Sequence, residues 1–299
     1  MFWENVLSID IGNHSTKMVI GRCKKNKVIV QQAECIPTPK DCILNGKIID
    51  LIKLKETLSN VLSYKEIKIK KVTFTVESEE MITRQLILPY ASSKQLCQMI
   101  EYEVLQKFPQ LLKDRVLQYK KLEDIYINGV QKTRILLASL PKSVIKEFWQ
   151  LGKSLGLQPL LLESHFHSIY KLFNFYKIFM HKKESIAVLD LGYKWIHIHI
   201  FYKGVLQGTK IVSYHENQWI DEIERILIYY SSENLGNEIN NIYLIGGKAN
   251  DIYIRETIEK YFGSLVGDIH SMTQIKIESF DADLDIKKYL NAIGTIIRT

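Results

Sequence analysis

The residues of this 299-residue sequence best equipped for chemistry are Asp10-Ile-Gly12-Asn13-His14-Ser15-Thr16-Lys17. An aspartate closing an apolar stretch, with a glycine two residues later, sets a carboxylate beside a tight turn whose backbone N–H groups can face phosphate oxygens. The carboxylate can hold Mg²⁺ through water, and Lys17 can reach a phosphate. A lone Asp-x-Gly is an ordinary turn. This one recurs at Asp190-Leu-Gly192, and Gly246-Gly247 follows a further apolar run, Ile242 to Ile245. Two histidine pairs, His165 with His167 and His197 with His199, are spaced by two, which on a strand puts each pair on one face and could make a metal pair. For His197 and His199, alternating with Ile196, Ile198 and Ile200, a polar sheet face is the simpler expectation. With no third ligand in view, no metal is expected there.

The elements that must position these groups repeat. Val6-Leu-Ser-Ile-Asp10-Ile-Gly12 echoes Ala187-Val-Leu-Asp190-Leu-Gly192 at a separation of 180 residues, and each copy runs into an alternating strand, Met18 to Gly21 and Ile196 to Phe201. A short polar turn and another apolar strand follow each, so the chain reads as a duplicated α/β domain led by a β-hairpin. Leu51 to Leu62 has helical spacing and Val72 to Val76 alternates as a strand. Ser92-x-x-Gln95 is a capping-box signature opening a helix with Leu96, Ile100 and Val104 on one face and Phe108-Pro109 at its end. Arg134 to Leu140 reads as a strand, and Ser143 as the cap of a helix that stops at Gly156. A helix over Trp219 to Tyr230, one over Ile252 to Phe262, and a tail, Ile286 to Ile297, packed as a helix on a core complete the reading.

Composition bounds the function. The chain is 46% hydrophobic and 24% charged, which fits a folded protein of about two units and excludes a disordered chain or a small disulfide scaffold. Without a long apolar run or a basic leader, a cytoplasmic location is expected. The cysteines Cys23, Cys35, Cys42 and Cys97 lack metal-site spacing and are expected as reduced thiols. Residues 1–160 carry 25 basic and 16 acidic groups, residues 161–299 carry 15 and 17. The net charge of +7 therefore belongs to the first half. Its densest cluster, Lys65 to Lys71, has no arginine or aromatic and is expected as a lysine-protected strand edge. Nucleic-acid binding is not expected.

The order of these parts resembles the actin-like ATPases, a superfamily that also includes sugar kinases and Hsp70, and within it the PilM family of type IV pilus assembly proteins, with the cell-division protein FtsA as its cousin. Arg84-Gln-Leu-Ile-Leu-Pro89, Glu101-Tyr-Glu103 through Phe108-Pro109, Leu161-Leu-Glu163 and Asn291-Ala-Ile-Gly294 resemble family motifs in order and spacing. The resemblance implies an α/β actin-like fold of two duplicated ribonuclease-H-like domains. Residues 1–85, with 161–183 and a C-terminal helix at about 286–299, would form the first subdomain, 86–160 a small α/β insertion, and 184–285 the second subdomain, its usual insertion largely missing. ATP and Mg²⁺ would then be held by Asp10, Gly12, Asn13, Ser15, Thr16, Lys17, Asp190, Gly192, Gly246 and Gly247, with Asp10 and Asp190 on the metal through water.

Two departures fall on that site. Tyr193-Lys194-Trp195 stands where the family has small or hydroxyl residues, and bulky rings at such a turn fill the space of phosphates. Only 26 residues run from Glu216 to Asn241, where the family inserts a subdomain that walls the adenine pocket. Nucleotide binding is therefore expected to be weak or lost, and no catalytic residue is assigned. The expected function is a pilus-assembly scaffold at the inner face of the cell membrane. It would bind the N-terminal cytoplasmic peptide of a PilN-like membrane protein and other pilus assembly proteins, with self-association a further expectation. The peptide groove would lie between the first subdomain and the insertion, at Arg84, Leu86, Leu88, Leu96, Ile100 and Phe108. The alternative is an active Mg-ATP-dependent ATPase that switches partner binding or polymerises. A small-molecule kinase would need a substrate-side aspartate and a larger second domain, and the sequence has neither.

Overall fold

The computed structural model describes residues 4–25, 27–178, 184–214, 218–233, 238–267, 269, 275–278 and 284–298. In chain order the elements are β1 (Val6–Ile11), β2 (Ser15–Lys24), β3 (Lys27–Pro37), β4 (Ile43–Leu44), β5 (Lys47–Ile48), α1 (Leu51–Tyr64), β6 (Lys71–Val76), β7 (Ile82–Pro89), α2 (Ser93–Lys107), β8 (Arg115–Ile127), β9 (Val130–Pro141), α3 (Lys142–Ser154), β10 (Gln158–Ser164) and α4 (His165–Phe175). The second half adds β11 (Ser185–Leu191), β12 (Trp195–Tyr202), β13 (Val205–Ser213), α5 (Trp219–Glu233), β14 (Ile239–Ile245), α6 (Ile252–Phe262), β15 (Val266–Gly267), β16 (Lys276–Ile277) and α7 (Leu290–Ile296).

The duplication is explicit in the sheets. The first has the order β10-β6-β1-β2-β3-β16 and the second β13-β12-β11-β14-β15. In each, an antiparallel hairpin opens the unit and its first strand pairs in parallel with the strand that follows a helix. β1 and β11 are buried along their whole length, as continuous apolar runs covered on both faces must be. Their outer faces carry α1 and α3 on the first sheet and α5 and α6 on the second. The inner faces share one core, in which Val19, Val28 and Val30 of the first sheet and Ile186, Val188, Phe201 and Tyr243 of the second close on α4 and α7.

Polar groups fix that central layer. Thr295 on α7 meets Ser8 of β1 at 2.7 Å and Thr73 of β6 at 2.8 Å, a buried hydroxyl cluster that sets the height of the helix over the sheet. The Ser168 hydroxyl of α4 donates to the Asn291 carbonyl. Lys171 donates to the Ile297 carbonyl at 2.7 Å and pairs with Glu163 at 2.7 Å. Where the two helices cross, a Cβ on Gly294 would collide with the Ser168 backbone, so only glycine permits this approach.

The insertion is a three-stranded sheet, β7-β9-β8, with α2 over one face. The capping box of Ser92 and Gln95 forms as expected, both halves present. Three expectations are corrected. Ser143 lies inside α3, whose first residue follows Pro141, a residue already set at the φ a helix start accepts. Lys65 to Lys70 form the turn before β6, and β6 itself runs between β1 and β10, so this cluster is a solvated loop and not a strand edge. The tail enters through a 3₁₀ turn, Ile286–Tyr289, before α7.

The crossing gives a test. Gly294→Ala should cost about 1–3 kcal/mol through forced separation of α4 and α7, which at this size is a fall of about 2–4 °C in Tm per kcal/mol. Thermal melting followed by circular dichroism checks it, and an unchanged Tm would mean the helices can slide apart freely.

Candidate functional site

The two Asp-x-Gly turns face each other across a cleft of about 310 Å³ between the sheets. Asp10 sits in register with Lys17 on β2 and Thr75 on β6, and Asp190 with His197 on β12 and Ile245 on β14. The hairpin pairing that the sequence echo implies thus delivers one carboxylate from each half to the same space. Both are buried, with Asp10 3% and Asp190 4% exposed.

Asp10, Gly12, Asn13, Ser15, Lys17, Asp190, Gly192, Gly246 and Gly247 all line the cleft. Thr16 does not. Its side chain turns to the other face of β2 and bonds the Thr38 hydroxyl at 2.8 Å, while Thr38 donates to the Gly12 carbonyl at 2.7 Å. Thr16 therefore braces the turn from behind. Gly246 has φ +95°, and a Cβ there would run into the Asp190 carboxylate and the Leu191 backbone, so the glycine lets the loop after β14 close onto the second aspartate. Glu216 lies outside the described residues, and the described residues between β13 and β14 hold one helix, α5.

A residue not assigned to the site from sequence occupies its centre. His165, the first residue of α4, lies on that helix and not on a strand, so its ring and that of His167 point apart. His167 meets Glu163 at 2.7 Å. The His165 ring instead bridges the two aspartates, with Nε2 at 2.9 Å from Asp10 Oδ1 and Nδ1 at 3.1 Å from Asp190 Oδ2. Thr75 donates to Asp10 at 2.7 Å, and Asn291 of α7 donates to Asp190 at 2.7 Å. Lys17 stands 4.0 Å from Asp10. Burial pushes the His165 imidazole down, but the two carboxylates outweigh it and hold its pKa well above the ordinary value. Burial would likewise raise both aspartates, and His165 together with these donors holds them below the usual carboxylate range.

A second acid–histidine pair adjoins the first. Glu77, just past β6, lies 3.3 Å from His197 Nδ1 and 3.9 Å from His165 Nδ1. His199, two residues further along β12, is 1% exposed, with Phe166 tilted against it. Neither of its ring nitrogens has a hydrogen-bond partner among the described residues. Burial drives its pKa down to about 4. The histidine face of β12 is thus a polar sheet face turned inward between the halves. Among the described residues no group of three His, Cys, Asp or Glu side chains could hold a metal ion.

At the mouth, a ring of the second turn faces the first. Tyr193 stacks on His14 with centroids 4.1 Å apart and planes at 15°, and Lys248 sits 5.3 Å from the same tyrosine ring. A stacked pair of this kind contributes about 0.5–1.5 kcal/mol to holding the turns together. Trp195 also lines the cleft. The arrangement does not fit the hydrated Mg²⁺ of an actin-like nucleotide site. That ion takes oxygen ligands and keeps several waters, and here a ring nitrogen already stands at hydrogen-bond distance from each carboxylate that would receive them.

The groove expected at the insertion is corrected in part. Leu86, Leu88, Leu96 and Ile100 are buried in the core between the β7-β9-β8 sheet and α2, because alternation on β7 and the helical spacing on α2 both point them at each other. Arg84 is exposed and Phe108 half-buried. Ile87 and Tyr90, beside them, are 48% and 54% exposed.

The family model for type IV pilus assembly protein PilM matches residues 8–211. Among solved structures, the PilM-PilN type IV pilus biogenesis complex aligns with a TM-score of 0.76 at 14% identity, covering 99% of this chain and 98% of that chain. A Bacteroides thetaiotaomicron protein with an actin-like ATPase fold and unknown function aligns at 0.52 and 13% identity over 98% and 96%. The ethanolamine utilization protein EutJ from Carboxydothermus hydrogenoformans aligns at 0.53 and 9% identity over 99% and 90%. At these identities the structures show the fold, which is actin-like. No curated protein matches.

His199 yields a pH prediction. Its native pKa of about 4 lies below the ordinary 6.5, so between these values the unfolded chain binds a proton that the native state does not, and stability falls as pH drops through that window. Replacing it, His199→Phe, should flatten the urea-unfolding free energy between pH 6.5 and 4.5 by a few kcal/mol. An unchanged slope would show that the ring is protonated in the fold.

Proposed function

Because the chain belongs to the family of the type IV pilus assembly protein PilM, we propose that it is an actin-like scaffold of a pilus assembly machine, working through protein contacts at the cytoplasmic face of the inner membrane. The family match carries this reading. Among the described residues no helix is long and apolar enough to cross a membrane, and the proposal places the chain there through its partner.

The proposed partner is the N-terminal cytoplasmic peptide of a PilN-like membrane protein, other pilus assembly proteins and self-association coming second. An extended peptide can pair with an open sheet edge and fill alternate side-chain pockets. β7 is an edge strand of the insertion sheet, and Arg84, Ile87, Tyr90 and Phe108 are among the accessible side chains on and beside it. Calorimetry with a synthetic peptide of that segment tests the groove. Arg84→Glu and Ile87→Lys should each weaken binding roughly tenfold, about 1.4 kcal/mol, with the melting temperature unchanged, whereas Leu96→Lys should unfold the insertion. Equal affinity in the first two variants would move the peptide elsewhere.

For the cleft, the proposal is that nucleotide binding is weak or lost. What supports it is the imidazole between Asp10 and Asp190 together with the His14–Tyr193 stack over the mouth. Titration with Mg-ATP, with Asp10→Ala as control, should give no micromolar binding. Micromolar binding abolished in Asp10→Ala would instead establish the nucleotide-dependent reading, an ATPase that switches partner binding or polymerises.

A further inference from the structure

We infer that His165 is a built-in substitute for a divalent cation, fixed between Asp10 and Asp190 so that it joins the two halves of the molecule and excludes Mg²⁺ from the cleft. The inference rests on the reading of the cleft as a lost nucleotide site. It goes further by naming the residue that excludes the metal and by giving that residue a role in holding the halves together.

Two carboxylates buried at facing turns repel each other and lose hydration, so the pair needs a positive group between them. The geometry supplies one. Each ring nitrogen of His165 faces a carboxylate oxygen, at 2.9 and 3.1 Å. A neutral imidazole has a single N–H, so donating to both oxygens requires both nitrogens protonated. Glu77 adds a third carboxylate beside the ring. It stands 3.9 Å from Nδ1, and its other oxygen is engaged by His197. The Asn291 amide nitrogen, 3.2 Å from Nδ1, is itself a donor and offers the ring no acceptor; its shorter contact, 2.7 Å, is to the Asp190 oxygen that the ring also faces, and Lys17 is on the far oxygen of Asp10.

The ring is also anchored where a free ion would not be. It leads α4, which the central core, the Ser168 contact and the Lys171 contacts hold against α7. The bond to Asp10 spans 155 residues and the bond to Asp190 spans 25, one into each sheet. By the family resemblance, the two Asp-x-Gly hairpins clasp a nucleotide, an exchangeable bridge. Here a side chain makes the bridge, so the closed arrangement needs no ligand.

The test uses the full chain, without nucleotide, in EDTA and then in millimolar Mg²⁺ or Mn²⁺. Hydrogen exchange at the two turns, residues 11–15 and 191–195, is read together with the melting temperature. Wild type should show protected turns and no response to either ion. His165→Ala should expose both turns, with exchange faster by roughly tenfold, and either ion should restore protection, because the bared carboxylates then recruit a cation. His165→Lys, which returns a charge without the ring, should regain part of the protection and lose the response to metal. Packing alone would not be rescued in that way, and a lysine variant that behaves like alanine would overturn the substitution. So would a metal response in wild type, or a His165→Ala protein as protected and as blind to metal as wild type. If His165→Ala does not fold, His165→Gln, close in size and uncharged, is read by the same criteria. Tight binding of ATP to wild type in EDTA would defeat the lost-nucleotide reading while leaving the bridge intact, so the two fail separately.

Discussion

Two buried carboxylates, one from each half, face each other across the centre of this protein, and the rest of the structure is arranged around keeping them both charged. Duplication of a hairpin-led domain makes the problem unavoidable. Whatever places an aspartate at the end of β1 places another at the end of β11, and packing the two inner faces on shared helices turns them toward one cleft. Removing carboxylates from water is expensive unless each is paired and hydrogen-bonded. Thr75 and Asn291 supply hydrogen bonds, Lys17 and His165 supply charge, and among the described residues His165 alone is bonded to both.

That dependence explains why the central helices are held so firmly. An imidazole can bridge two acceptors only if its backbone is placed to within a fraction of an ångström. α4 is placed by its close crossing with α7 at Gly294 and by the buried Glu163–Lys171 pair, and α7 is placed in turn by the Ser8, Thr73 and Thr295 hydroxyls on the first sheet. The Ser8, Thr73 and Thr295 hydroxyls bond one another, and such buried hydrogen bonds favour one arrangement over others.

The insertion is built on a different principle. Its own small core is complete, and it leans on the second half through polar contacts: Gln85 donates to the Leu206 and Gln207 carbonyls at 3.0 Å, and Arg134 to the Gln207 side chain at 3.0 Å. Lys120 lies 3.7 Å from the Tyr170 ring of α4, where burial lowers its pKa to about 8. A sheet with its own core, joined to the rest by these polar contacts and by Leu122 and Leu136 in the central core, can present its outer edge strand to a partner away from the cleft. In a PilM family member this division suits the proposed scaffold, with the proposed recognition on the insertion and rigidity at the centre.

Much of the fold was legible in the sequence because it is written in local periodicity. Alternation in Met18 to Gly21, helical spacing in Leu51 to Leu62 and the Ser92–Gln95 capping box each depend on neighbours a few residues apart, and the 180-residue echo exposes the duplication by direct comparison. The Asp-x-Gly turns were equally plain, and all of the glycines and aspartates they named do meet in one cleft. Local pattern misled where burial is decided from outside. Lys65 to Lys71 looked like an edge until β10 covered β6, Leu86 and Leu96 looked like a groove until they packed on each other, and Thr16 looked like a phosphate ligand until the pleat turned it away. What only the tertiary structure decided is the occupant of the cleft. His165 follows the strand end at Glu163 in sequence, and no periodicity connects it to a residue 155 positions away. Its role arises because two sheets and one helix converge on a point where two negative charges need a positive one.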